Sequence, residues 1–405
     1  MTDPPDPRPP FWWGTTSAST QTEGAAPASD WLDWERSGHA PPSGDGNGFA
    51  TRFADDLTLL ADHGLTHHRL TLEWARLEPT NGKPDQAAVE HYREVLEVAR
   101  DTGIEIWACL HHVSLPGWFG HDERGFVDAR SRTYFWPRHV DFVAETFGDL
   151  VTGWMPVHEP SRYALDGWMG RGHPPGRNDP TRFVEALETV HLAAFEAALR
   201  LRGGGAPVAT DHWLAPVQAI GTSPLASSWA RRLDDVLWAG WLGAMRDGEL
   251  QVLDRGPIPR PELREAFDIV GFTYDGALGI DGAGDFQPYP PGRPVTAAGA
   301  VPWPEGLGVV LHRLAEELPD MPLLVSGYGI GTTDDGMRVE HLREGLDHLD
   351  EARRDGIDVR GFFHRTAVDG YEWLLGHDVP YGLFDRDRTP RPSAALLRDR
   401  ATTAS

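Results

Sequence analysis

Cysteine is almost absent from this sequence of 405 residues, in which Cys109 is the only one. A single thiol excludes an internal disulfide framework and a metal site built from several cysteines. Basic residues are scarce relative to acidic ones, with 37 Lys and Arg against 61 Asp and Glu and a net charge of −24. This balance argues against nucleic acid or an anionic membrane surface as a partner.

Long apolar runs are absent as well. No stretch approaches the ~18 consecutive apolar residues that a membrane-spanning helix requires. The first ten residues are rich in proline and lack the basic and apolar regions of a secretion signal. We therefore expect a cytoplasmic protein. The sequence implies no metal or organic cofactor, and it does not indicate an oligomeric state.

Short apolar runs alternate with longer amphipathic stretches along most of the chain. Eight runs have the length and composition of β-strands: Phe11–Thr16, His67–Trp74, Glu105–His112, Thr152–Glu159, Ala206–His212, Asp268–Asp275, Pro322–Tyr328 and Val359–Thr366. Helical patterns lie between most of them, for example over Phe53–His63, Gln86–Thr102, Tyr134–Phe147 and Pro180–Arg202. Eight strands separated by helices favour a single (β/α)8 TIM barrel over an open sheet. We place this α/β domain at residues 11–397, between an N-terminal tail of residues 1–10 and a C-terminal tail of residues 398–405.

Polar residues stand at the ends of the predicted strands, which is where TIM barrels carry their chemistry. Along the second strand, period-2 alternation places Arg69, Thr71 and Glu73 on one face. The other strand ends carry these residues and motifs: Gln21, His111-His112-Val113, Val157-His158-Glu159-Pro160, Thr273-Tyr274-Asp275, Ser326-Gly327-Tyr328, His364-Arg365 and Tyr371-Glu372-Trp373.

These motifs resemble those of glycoside hydrolase family 1, the β-glucosidase family, over nearly the whole chain from Phe11 to Ser393. A retaining glycosidase requires two carboxylates, one as acid/base and one as nucleophile. The resemblance implies that Glu159 is the general acid and that Arg69 lies beneath the nucleophile. It also implies that the sugar is bound by Gln21, His112, Glu372 and Trp373.

The sequence departs from the family at the nucleophile, because Gly327 stands in the place of the nucleophilic Glu. We therefore expect the retaining mechanism to be disabled. Further replacements change the surroundings of the same site: Glu73 for Ser, Val113 for Trp, His158 for the Asn that contacts the 2-hydroxyl, Thr273 within the sixth-strand motif, Asp275 for the Tyr that hydrogen-bonds the nucleophile, and Arg365 for the Trp on which a sugar stacks.

Four of these replacements each allow two interpretations. Glu73 is either an additional carboxylate in the site or the partner of a nearby arginine. Asp275, which precedes Gly276, is either a substitute base or a turn residue. Arg365 either offers a guanidinium to an anionic ligand or pairs with Asp275 or Glu73. His158 either restores a hydrogen bond or adds a second acid/base group.

Three functions remain open, each with a small-molecule glycoside or glycoside-like ligand. The first is a carbohydrate-active enzyme in which Glu159 protonates the leaving group and Asp275, or else Glu73, activates water. Such direct displacement inverts configuration and requires carboxyl groups ~6.5–9.5 Å apart. The second is a non-hydrolytic acid/base enzyme of natural-product biosynthesis, such as a cyclase, lyase or isomerase. The third is a catalytically inactive sugar-binding protein.

Overall fold

A parallel sheet of eight strands forms the centre of the molecule and closes into a barrel. The computed structural model describes residues 10–122 and 124–403. The strands are β1 (Trp12–Thr16), β2 (His67–Thr71), β3 (Glu105–His111), β4 (Gly153–Val157), β5 (His212–Trp213), β6 (Val270–Tyr274), β7 (Leu323–Tyr328) and β8 (Val359–His364). Neighbouring strands pair in the order β4-β3-β2-β1-β8-β7-β6-β5. A parallel bridge from Trp154 to Val208, just before β5, closes the ring and confirms the predicted (β/α)8 barrel.

Helices surround the barrel and follow most of its strands. They are α1 (Ser19–Glu23), α2 (Asp30–Arg36), α3 (Phe49–Asp62), α4 (Trp74–Leu77), α5 (Gln86–Thr102), α6 (Ala129–Phe147), α7 (Pro160–Trp168), α8 (Pro180–Leu201), α9 (Pro224–Asp234), α10 (Gly240–Asp247), α11 (Glu305–Glu317), α12 (Asp335–Arg354) and α13 (Pro392–Thr403). Segments after β5 and β6 form a small sheet from Val217–Ala219, Leu278–Ile280 and Phe286–Gln287. No helix in residues 10–122 and 124–403 has the length and apolar composition needed to cross a membrane.

The barrel interior is filled by apolar side chains, most of them large. Buried residues of this inner cluster are Trp107, Met155, Ala209, Ile269, Leu324 and Phe363, with Trp12 packed against them. Such side chains make the lower barrel a packed core rather than a channel. The polar side chains that line the cavity lie at the end of the barrel where the strands finish.

Local sequence signals explain why helix α5 begins and ends where it was predicted to, at Gln86 and Thr102. Asp85 caps α5 by accepting a hydrogen bond from the backbone N–H of Ala88, and Gly103 ends it in a left-handed conformation. These are the residue types favoured at the two ends of a helix. Its buried positions recur every three or four residues, as expected for a helix with one face on the core: Val89, Tyr92, Val95, Leu96 and Ala99.

Other boundaries differ from the predicted ones for identifiable reasons. The second strand ends at Thr71, before Trp74, because the side chain of Glu73 caps α4. Helix α6 begins at Ala129, five residues before the predicted start, because Asp128 accepts hydrogen bonds from the N–H groups of Arg130 and Ser131. The fifth strand is reduced to His212–Trp213, with single bridges at Val208 and Ala209 before it.

The predicted boundary between residues 397 and 398 falls inside helix α13. Leu397 and Ala401 are both buried within the main core cluster, so the helix is docked through most of the segment that was assigned to a tail. The predicted N-terminal tail lies outside the described residues, except for Pro10.

We predict that Ala401→Glu destabilises the fold by roughly 2 kcal/mol or more, because it forces a charge into a packed interface. Thr403→Glu is the matched control, since it adds the same charge to the exposed end of the same helix and should change stability by about 0.5 kcal/mol or less. Urea unfolding of both variants measures the difference. Equal midpoints for the two variants would show that the end of α13 is not part of the domain.

Candidate active site

A cavity of about 270 Å³ opens at the C-terminal ends of the barrel strands. Its wall combines charged, aromatic and apolar side chains: Thr16, Gln21, Arg69, His112, Val113, His158, Glu159, Arg162, Tyr163, Asp166, Arg171, His173, Thr273, Ala298, Gly327, Arg365, Thr366, Glu372, Trp373, Leu374, Leu375 and Tyr381. The cavity therefore brings together most residues that the sequence placed in the site. Glu73 and Asp275 are not among the described residues that line it.

Backbone conformation at this cavity is unusual. Val113, Glu159 and Trp373 have φ values of 66°, 44° and 43°, a left-handed region that residues other than glycine rarely adopt. Conformations of this kind persist where the surrounding structure enforces them, and they concentrate at functional sites. The three side chains are thus held in fixed directions by the loops that follow β3, β4 and β8.

Glu159 lies between β4 and α7, with its side chain buried at the cavity wall. Its Oε1 accepts a hydrogen bond from the Thr273 hydroxyl at 2.5 Å. Its Oε2 lies 3.2 Å from Nη1 of Arg162, and Oε1 lies 3.5 Å from Nε2 of His158. The 3.5 Å contact is longer than the ~2.6–3.2 Å of a direct proton transfer, and contacts of this kind often shorten when a substrate binds.

His158 belongs to a buried network below the cavity. Its Nδ1 is 2.6 Å from Oδ2 of Asp211, and the same oxygen forms an ion pair with Arg69. The Ser326 hydroxyl donates to the other oxygen of Asp211 at 2.5 Å. Burial opposes ionisation of Asp211, but Arg69, His158 and Ser326 together hold the pKa of its carboxyl below the usual value.

His112 stacks on His158 with ring centroids 3.8 Å apart. Burial, followed by the neighbouring His158 and Arg69 side chains, lowers the pKa of His112 well below its ordinary value. The ring is therefore neutral at physiological pH and offers one donor and one acceptor. A neutral imidazole of this kind suits a hydroxyl-bearing ligand.

Four residues of the cavity wall have buried polar atoms without a hydrogen-bond partner in the described protein. These atoms are Nε2 of Gln21, Nε of Arg69, Nδ1 of His112 and Oε1 of Glu372. Buried polar atoms are normally paired, and an exception calls for an explanation. An amide, a neutral imidazole and a carboxyl group together provide the donors and acceptors that bind the hydroxyls of a sugar.

Glu372 shares its other oxygen with Arg365, whose Nη2 lies 3.0 Å away. Burial raises the pKa of Glu372 to about 7, and the Arg365 guanidinium only partly offsets this effect. Arg365 also lies over the ring of Tyr381, 4.3 Å from its centroid. Of the two interpretations of Arg365, the structure favours the ion-paired one.

Gly327 faces the cavity, and the room for a side chain there is limited. A Cβ atom built on Gly327 would lie 2.9 Å from Cγ2 of Thr273 and 3.5 Å from its Cβ. Thr273 therefore occupies part of the space in which a residue at position 327 would begin. The hydroxyl of Thr273 also donates a hydrogen bond to Glu159. This one side chain therefore holds Glu159 and limits the space at position 327.

Asp275 is held by two arginines. Arg162 Nη1 is 2.9 Å from Oδ2, and Arg365 Nη1 is 3.3 Å from the same oxygen. Burial opposes ionisation, but Arg365 and Arg162 hold the pKa of the Asp275 carboxyl below its ordinary value. With these contacts and its position behind the wall, Asp275 is placed as a counter-ion, and the structure does not support its prediction as the substitute base.

The distance between Asp275 and Glu159 gives the same result. Both carboxylates contact Nη1 of Arg162, at 2.9 and 3.2 Å, so their facing oxygens cannot be further apart than these two distances combined. That limit lies below the ~6.5 Å minimum for carboxyl groups that admit a water between them. Direct displacement by water through this pair is therefore not supported.

Glu73 also differs from its predicted placement. Period-2 alternation put it on the cavity face, but β2 ends two residues earlier and the chain turns into α4. Its side chain caps α4 through the N–H of Ala75 and accepts a hydrogen bond from Ser19. Burial raises the pKa of Glu73, yet the residue serves the packing of α1 against α4 rather than the cavity.

The sequence interpretation missed several residues that shape the site, namely Arg162, Asp166, Arg171 and Asp211. A signal existed for Arg162, because it stands three residues after Glu159 at the start of a helix, and such residues share a helix face. Asp211 is a charged residue inside an apolar predicted strand, which is also a recognisable exception. Within residues 10–122 and 124–403, no cluster of three or more His, Cys, Asp or Glu is arranged to hold a metal ion.

This chain is similar to known glycosidases in both sequence and structure. The chain is 26% identical to the bifunctional beta-D-glucosidase/beta-D-fucosidase of Bifidobacterium breve, over 92% of each chain. It is 27% identical to the galactolipid galactosyltransferase of Arabidopsis thaliana, over 82% of this chain and 53% of that relative. The solved structure of the beta-glycosidase from Pyrococcus horikoshii superposes with a TM-score of 0.88 at 25% identity, covering 97% of this chain and 94% of that one.

The sequence profile of Glycosyl hydrolase family 1 matches residues 7–204 and 285–403. The matched segments contain most of the strand ends that line the cavity, including those that carry Gln21, Glu159, Gly327 and Glu372. Because the profile matches well over half of its length, the chain belongs to glycosyl hydrolase family 1.

Proposed function

We propose that this protein is a carbohydrate-active enzyme that acts on a β-glycoside or glycoside-like substrate without a glycosyl–enzyme intermediate. One observation carries the proposal. Glu159 shares a cavity with Gln21, His112 and Glu372, each of which has a buried polar atom that no protein group satisfies. Sugar hydroxyls would satisfy these atoms, with Trp373 providing an apolar surface for the ring.

In this proposal Glu159 is the general acid. Its proton passes to the oxygen of the leaving group as the bond between that oxygen and the sugar carbon breaks. A retaining enzyme would supply its second carboxylate from strand β7, where this chain has Gly327. The incoming group therefore has to be water or a nucleophile carried by the substrate itself.

His158 is the best remaining partner for Glu159. Its Nε2 is 3.5 Å from Oε1 of Glu159, whereas Glu73 and Asp275 are engaged elsewhere. Because these two side chains are adjacent, the acid and the base would lie on the same side of a ligand in the cavity. This favours, as a second candidate function, non-hydrolytic chemistry in which one group removes a proton and its neighbour returns one, as in an elimination or isomerisation.

Neither candidate calls for an anionic substrate. The arginines of the cavity wall all have carboxylate partners: Arg69 with Asp211, Arg162 with Glu159, Asp275 and Asp166, Arg171 with Asp166, and Arg365 with Asp275 and Glu372. A ligand carboxylate or phosphate would have to displace one of these partners. We therefore expect a neutral sugar to bind more tightly than its phosphorylated or carboxylated counterpart.

We predict turnover of at least one member of a panel of aryl β-glycosides, neutral and anionic, and its loss by a factor of about 100 or more in Glu159→Gln. An NMR time course identifies the products. A free α-anomer formed first indicates direct attack by water, and an unsaturated or rearranged sugar indicates the non-hydrolytic candidate. Tight binding of sugars without turnover of any panel member would contradict the hydrolytic proposal and leave a sugar-binding protein.

We further predict that Gly327→Glu alone does not create a retaining glycosidase, because its Cβ meets Cγ2 of Thr273. Overpacking of this kind costs about 1–3 kcal/mol and should lower the thermal midpoint. Thr273→Ser is the matched relief mutation, since it removes Cγ2 and keeps the hydroxyl that donates to Glu159. The double variant should recover stability and release the β-anomer first from an aryl β-glycoside.

Thr273→Ser by itself serves as the control for the double variant and should remain close to the parent in stability. If Gly327→Glu were as stable and as active alone as in combination with Thr273→Ser, the proposed steric conflict between the two strands would be wrong.

A further inference from the structure

Asp211 is a fully buried carboxylate that neither the sequence motifs nor the proposed function assigns. It stands immediately before β5, and its side chain contacts three strand ends through Arg69, His158 and Ser326. We propose that Asp211 is the positioning residue of the site, which fixes the proton of His158 on Nδ1 and presents Nε2 to Glu159. This inference rests on the proposed acid/base function of Glu159 and deepens it.

The two oxygens of Asp211 are used differently. Oδ1 accepts the hydroxyl of Ser326, and Oδ2 takes both Arg69 Nη1 and His158 Nδ1. A counter-ion for Arg69 alone would need no contact with an imidazole. The convergence of a guanidinium and an imidazole on one oxygen links the charge of Asp211 to the ring that faces Glu159.

The position of the His158 proton follows from these contacts. Nδ1 lies 2.6 Å both from Asp211 Oδ2 and from Arg69 Nη1, and it cannot serve as donor and acceptor at once. Without a proton on Nδ1, two lone pairs would face each other at that distance in a buried environment. A hydrogen bond to an ionised carboxylate is also the stronger of the two options, so the proton belongs on Nδ1.

Neighbouring groups also restrain the remaining sides of the His158 ring. Charged and titratable groups face it from four directions: Arg69 from β2, His112 at the end of β3, Glu159 beside it, and Asp211 from the segment before β5. With Nδ1 bound to Asp211 and the face stacked on His112, Nε2 is the free acceptor, 3.5 Å from Oε1 of Glu159. A closer approach, to the ~2.6–3.2 Å of a direct proton transfer, would let Glu159 and His158 share one proton.

The first test is made on the unaltered protein and does not depend on activity. In ¹⁵N-histidine-labelled protein, a long-range ¹H–¹⁵N spectrum distinguishes the two neutral tautomers, and the signals of His158 are assigned by their disappearance in His158→Asn. We expect a protonated Nδ1. A proton on Nε2 would overturn the inference, whatever substrate the protein proves to use.

The second test uses turnover of the aryl β-glycoside identified for the wild type. Asp211→Asn should lower kcat by about 100-fold and leave KM within a few-fold, because Asp211 is not among the described residues that line the cavity. Ser326→Ala is the matched control, since it removes the donor to Oδ1 and leaves both contacts of Oδ2; it should keep kcat and the Nδ1 proton. Unchanged kcat in folded Asp211→Asn would overturn the inference.

Loss of a buried counter-ion can prevent folding, so a second variant is needed. Arg69→Met with Asp211→Leu removes the whole ion pair, an exchange that is often neutral or stabilising in a protein interior. In this variant we expect the proton of His158 to appear on Nε2. Retention of the proton on Nδ1 would show that Asp211 does not position it.

Discussion

The buried guanidinium of Arg69 is the constraint on which the rest of the site depends. It stands beneath the cavity almost without exposure to solvent, and an uncompensated charge there would cost several kcal/mol. The chain supplies the compensation from Asp211. Because Asp211 also binds His158, the requirement to neutralise Arg69 fixes the position of the imidazole beside Glu159, and thereby the proton chemistry available to the cavity.

A second set of ion pairs fixes the positions of charged side chains in the upper wall of the cavity. Glu372, Arg365, Asp275, Arg162 and Glu159 follow one another in alternating sign, each within 3.3 Å of the next. The two arginines therefore connect the residue proposed to bind sugar hydroxyls with the proposed acid. A displacement of Arg365 by a ligand would change the surroundings of Glu372 and Asp275 together, so recognition and chemistry are electrostatically linked.

The sequence was most informative where local pattern and strand-end motifs decide the structure. The barrel follows from eight apolar runs separated by amphipathic helices, whereas Gln21, His112 and Glu159 are located through the motifs that resemble glycoside hydrolase family 1. Glu73 was misplaced because alternation was extended past the end of β2, where a cap takes over. Asp211 was recognisable as a charged residue in an apolar run, but its partner Arg69 is 142 residues away, and no local pattern reveals a pairing at that distance.

These observations distinguish a site that merely lacks a carboxylate at position 327 from one whose neighbouring residues also fit its absence. Loss of a carboxylate at position 327 alone would leave Arg69 unpaired and a gap beside Thr273. In this chain Asp211 neutralises Arg69, and the methyl group of Thr273 occupies space that a side chain at 327 would need. The Thr273 hydroxyl meanwhile binds Glu159. Charge and volume are thus balanced together around Gly327, while the hydrogen-bonding groups that remain free face the cavity. This arrangement is the physical condition for a site with its own chemistry.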